Sequence, residues 1–126
     1  MGKPLQYEDL TEDQINLIWN GVGSSHFFID PHDLIFKEPS KKHDFYYWRG
    51  GTEEHKKEAD LIFYKECKEK VNEHEGLAWL FYSTAAWTYY QFVKHLGKYS
   101  FEYADKPAET WKEIYKRWEA YQEQNS

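Results

Sequence analysis

One histidine and two carboxylates stand at a spacing that could activate water. His43 and Asp44 are adjacent, and Asp60 follows on the next helical stretch. Imidazole is the side chain that changes charge nearest neutral pH. A carboxylate that holds one ring nitrogen leaves the other to act as a general base. Asp60 suits the holding role. It lies on an inner stripe of Lys56, Ala59, Asp60, Phe63, Cys67 and Val71, which recur at helical spacing. Carboxylates rarely enter a buried face without a partner. Asp44 points about 100° away from His43 around the helix. That direction can meet Gly21-Val22-Gly23-Ser24, where glycines let carbonyls turn inward. Carbonyls plus a carboxylate make a ligand set for calcium. The residue types thus supply a base, an orienter and a calcium carboxylate.

The elements that must position these groups are helices. Thr11 caps a short helix carrying Ile15, Leu17, Ile18 and Trp19, which Gly21 and Gly23 stop. Ser24 to Pro39 reads as an irregular segment rich in apolar residues, among them Phe27, Phe28 and Phe36. A second helix is predicted from about Pro39 or Ser40 to Trp48, ended by Gly50-Gly51. Thr52 then caps a third, running to about Asn72. The tight glycine turn makes these two antiparallel. His43 lies about 9 Å of helical rise before the turn and Asp60 about 12 Å after it, so the two are nearly level. A fourth helix spans about Glu75 to Leu96 and is read as a buried central helix. A last one begins at Pro107, and its face of Trp111, Ile114, Tyr115, Trp118 and Tyr121 reads as core packing. The only strand candidate is a small hairpin near Tyr99–Tyr103. The expected class is all-α, a single domain over residues 1–126: an antiparallel helix pair carrying the constellation, with further packed C-terminal helices.

Composition excludes several classes. Lys and Arg number 16 against 22 Asp and Glu, a net charge of −6, which argues against a nonspecific nucleic-acid binder. Six Trp, eleven Tyr and eight Phe supply core material that a disordered chain lacks. One cysteine allows no disulfide within the chain and no Cys-rich zinc module. His26, His32 and Asp33 fit no zinc spacing. Cys67, on the inner stripe, reads as a small core residue. The charge-free stretch from Gly76 to Val93 approaches bilayer length but carries Ser83, Thr84, Thr88 and Gln91, so it is not expected to span a membrane. No signal-peptide pattern opens the chain, and the expected location is cytoplasmic. Nothing in the sequence fixes an oligomeric state.

The ordered set resembles the phospholipase A2 superfamily, which carries a glycine-rich calcium loop, then Cys-x-x-His-Asp on a helix, then an Asp on the antiparallel helix. The matching residues here are Asn20-Gly21-Val22-Gly23-Ser24, then Ser40-Lys41-Lys42-His43-Asp44-Phe45-Tyr46-Tyr47, then Gly50-Gly51, then Ala59-Asp60-Leu61-Ile62-Phe63. The resemblance covers about residues 20–64. Val22 and Ser40 stand where the family usually has cysteine, which fits a disulfide-free member in a reducing compartment. The resemblance implies hydrolysis of a glycerophospholipid sn-2 ester. His43 would be the base, Asp60 would orient it, and Ca2+ would be held by Asp44 with carbonyls of Gly21, Gly23 and Ser25. The implied partner is a phospholipid or membrane surface, with Phe27, Phe28 and Trp48 near the acyl chains. Lys37, Lys41 and Lys42 would lie beside the site. The alternative is a non-catalytic lipid- or protein-binding domain of the same architecture.

Overall fold

A computed structural model describes residues 2–19 and 34–124. Its regular elements are α1 (Glu12–Trp19), α2 (Lys37–Arg49), α3 (Glu53–Val71), α4 (Gly76–Leu96) and α5 (Trp111–Gln124). No strand occurs among the described residues, so the class is all-α. Local chemistry sets the boundaries. Thr11 Oγ1 accepts from the Gln14 N–H at 3.2 Å while Gln14 Oε1 accepts from the Thr11 N–H at 2.8 Å, closing the start of α1. α2 begins at Lys37, earlier than expected. Pro39 fits its first turn, where a backbone N–H has no partner to lose. The segment before it, Leu34–Phe36, is a 3-10 turn and not irregular chain. α5 starts at Trp111 and not at Pro107. Thr110 caps it by accepting from the Glu113 N–H at 3.3 Å, and Ala108 is already committed, its N–H bonded to the Arg49 carbonyl at 2.8 Å.

The side chains bury in three groups. Phe36, Phe63, Cys67, Val71, Ala86 and Val93 fill the space between α3 and α4. Ile18, Phe45, Trp48, Ala108 and Ile114 join α1, α2 and α5. Tyr47, Ala59 and Phe101 lie between the two larger groups. α2 therefore packs on both sides, and its middle carries the candidate site. Each fully buried ring contributes roughly 1.5–3 kcal/mol relative to exposure. Edge contacts add to this: Phe36 meets Tyr82 and Tyr89 with ring centroids 6.3 and 5.7 Å apart. The α5 face joins the second group as expected, with Ile114 buried and Trp111, Trp118 and Tyr121 packed on it.

Two expectations are corrected. The proposed hairpin near Tyr99–Tyr103 does not form. Gly97–Tyr99 is a 3-10 turn, and the backbone after it pairs with the α2–α3 turn. The Gly51 N–H donates to the Glu102 carbonyl at 3.0 Å and the Ala104 N–H to the Gly51 carbonyl at 2.8 Å. Gly50 ends α2 at φ +71°, and a Cβ there would run into the Glu102 carbonyl, so the turn demands glycine. α4, expected to be a buried central helix, is buried only at Ala86 and Val93. Its main partner is α3, so its outer face lies in solvent, with Leu77 at 85%, Phe81 at 69% and Trp87 at 55% exposure. Among the described residues no helix is long and apolar enough to cross a membrane.

Candidate functional site

The α3 stripe folds as its spacing predicts: Lys56, Ala59, Asp60, Phe63, Cys67 and Val71 are its buried residues. That brings Asp60 against α2. The His43 Nε2–H donates to Asp60 Oδ1 at 2.8 Å, and both side chains are almost wholly out of water. Phe63 and Tyr47 flank the imidazole, with ring centroids 4.9 and 4.2 Å away. Burial pushes the His43 pKa down. The Asp60 carboxylate opposes that shift, and the Lys56 ammonium adds to it. Near neutral pH the ring is therefore held uncharged, the state a general base requires.

Two partners of Asp60 were not assigned from the sequence. The Tyr47 hydroxyl donates to the same Oδ1 at 2.6 Å. Burial, with the Asp60 charge beside it, pushes the Tyr47 phenol far above its ordinary range, so it remains a donor. The Lys56 ammonium donates to Oδ2 at 2.8 Å. It also donates to the Val93 carbonyl at 3.1 Å, near the end of α4. Spacing carried both signals. Tyr47 follows His43 by one helical turn, and Lys56 precedes Asp60 by one turn on the same stripe. A carboxylate with three donors is the satisfied form of a buried charge.

Gly97 makes room for this cluster. A Cβ there would overlap the Tyr47 hydroxyl and ring. The residue that reads as a helix stop is therefore also a point of close approach.

Asp44 is buried, on a different face of α2 from His43. Its Oδ2 is out of water with no hydrogen-bond partner among the described residues. Burial alone pushes its pKa well above the ordinary carboxylate range. A buried carboxylate oxygen without a partner calls for a proton or a cation to offset its charge, so Asp44 is the described residue that could hold a hard cation. Gly21, Gly23 and Ser25, the expected carbonyl donors, lie outside the described residues, as do Phe27, Phe28, His26, His32 and Asp33. Among the described residues no three His, Cys, Asp or Glu side chains converge on one point.

Other expectations change. Trp48, expected near acyl chains, is buried against Ile18, Phe45, Ala108 and Ile114. The basic patch is largely neutralised: Lys42 pairs with Glu66 at 2.7 Å and Lys41 with Glu38 at 3.8 Å. No family model, curated protein or solved structure matches the chain.

Proposed function

We propose that the chain is a phospholipase A2-like hydrolase acting on a glycerophospholipid ester. The observation that supports this most is the buried His43–Asp60 pair at 2.8 Å, with Asp44 next in sequence holding an unbonded, buried carboxylate oxygen. In this reading α2 and α3 are the antiparallel pair of the superfamily. Asp60, fixed by Tyr47 and Lys56, holds Nε2, so Nδ1 is the nitrogen that takes a proton from water. The water oxygen bonds to the ester carbonyl carbon. Collapse breaks the bond to the glycerol oxygen, which receives the proton back from His43 and leaves as the alcohol of a lysophospholipid. The fatty acid is the other product. Asp44, with carbonyls of Gly21, Gly23 and Ser25, would hold Ca2+. Bound calcium would polarise the ester carbonyl and favour negative charge on its oxygen.

The non-catalytic reading draws on one observation, the complete burial of the His43 side chain. One assay separates the two. Purified protein is given mixed phospholipid vesicles with calcium or with chelator, and fatty-acid release is measured. The hydrolase reading expects calcium-dependent release that falls at least about 100-fold in His43→Ala, the usual scale for loss of a general base. Circular dichroism checks that the variant folds. Absence of release with calcium, or release that survives His43→Ala, overturns the hydrolase and leaves the binding domain.

A further inference from the structure

The cleft beside Lys56 and Asp60 adjoins the exposed face of α4, and together they have the chemistry of a ligand site. The cleft holds about 290 Å³. The Lys56–Asp60 pair forms its inner wall, and these two charges satisfy each other. Lys57, Lys94 and His95 also line it. Among the described residues neither Lys57 nor Lys94 has an ion-pair partner. One further carboxylate, Glu53, is in the lining. Beyond the Lys56–Asp60 pair, the lining therefore offers two ammonium groups and an imidazole against one carboxylate.

A second groove, about 380 Å³, shares His95 with the first in its lining, so the two lie next to each other. Its lining joins Trp87, Phe92 and Leu96 to Thr88, Gln91 and His95. Residues 95, 91, 87, 84 and 80 follow at helical spacing, so one face of α4 runs from the cationic cleft past Trp87 to Leu80. At 1.5 Å per residue that is about 22 Å of track.

From this juxtaposition we propose that the α3–α4 surface binds a single-chain anionic amphiphile, of which a fatty acid is the simplest. The head group would sit among Lys57, Lys94 and His95, and the chain along Trp87 and Leu96. Charge placement selects this occupant over a bilayer. A helix lying on a membrane carries cations along its flanks, whereas here they gather at one end of the apolar track.

Calorimetric titration with decanoate and with decan-1-ol, chains of equal length, tests the site. Decanoate is expected to bind saturably at one site, at least about 10-fold more tightly than the alcohol, the scale of a charge-assisted hydrogen bond. Lys57→Gln with Lys94→Gln should erase that difference, and Trp87→Ala should weaken both ligands. Circular dichroism checks each variant's fold. Equal affinity for acid and alcohol in the wild type overturns the site. So does a difference that survives the double lysine variant. Binding only to neutral phosphatidylcholine vesicles, or a dimer in sedimentation that leaves no decanoate binding, overturns it as well. Neither probe is an ester, and the readout is binding and not fatty-acid release. The site and the hydrolase reading therefore fail separately.

Discussion

Replacing Lys56 with Met removes an ammonium but keeps most of its stem, so the change probes charge more than volume. Lys56 Nζ lies 2.8 Å from Asp60 Oδ2, with each side chain 4% exposed. At an effective dielectric of about 20 the gross attraction at that distance is about 6 kcal/mol, most of it offset by the desolvation of two charges. Breaking one side of such a pair typically costs about 3–5 kcal/mol, because the remaining charge stays buried. Tyr47 and His43 still donate to Asp60, which places Lys56→Met near the lower end, about 3 kcal/mol. That corresponds to roughly 10 °C in Tm for a chain of this size. Asp60→Asn alone should cost a similar amount. The double variant buries neither charge and should cost about 2 kcal/mol less than the sum of the singles, or better. Urea unfolding followed by tryptophan fluorescence measures all four corners of this cycle. A coupling below about 0.5 kcal/mol, the value of an exposed pair, would refute the claim that this pair within α3 behaves as a buried one.

Gly97→Ala separates two opposing effects. Gly97 has φ −63°, where alanine is favoured by up to about 1 kcal/mol, yet the added methyl would overlap the pinned Tyr47 hydroxyl. Net destabilisation of about 1–3 kcal/mol in thermal melts is expected, and a stabilised variant would show that Tyr47 moves freely. Alkaline titration at 295 nm should proceed in two stages. Burial and nearby carboxylates push Tyr7 and Tyr103 up to about 12, and Tyr47 is raised further. A phenol whose folded pKa exceeds its unfolded value of 10 stabilises the fold fully below pH 10. That contribution is lost as pH rises through about 12. The delayed absorbance should therefore appear together with unfolding, and a single step near pH 10 would contradict the burial of Tyr47.

How much of this was legible in the sequence depended on how local each cause is. The His43–Asp60 contact followed from helical rise on either side of a glycine turn, and the α3 stripe from spacing alone, because both need only one hairpin. The start of α5 was misplaced because Pro107 is a local signal, while the true cause lies far away, in the bond from Ala108 to Arg49. The supposed strand at Tyr99–Tyr103 failed for the same reason: its pairing groups face the α2–α3 turn. α4 reads as buried from its charge-free stretch, but burial takes neighbours on two sides, and α3 covers one. Lys56 was placed on the inner stripe without a role, since an ammonium there looks like a surface residue until its carboxylate one turn later is paired with it.

The Arg117 guanidinium donates to the carbonyls of Trp48 and Arg49, the last turn of α2. These are orphan acceptors that the helix cannot satisfy itself. Arg117 leaves the ribosome 74 residues after His43. During synthesis the α2–α3 hairpin can collapse early on local contacts, but the end of α2 stays unfinished until α5 has emerged and docked. Completion of the α2 end is thus gated by the most distal described helix, and a nascent chain stalled before α5 should be a protease-sensitive hairpin.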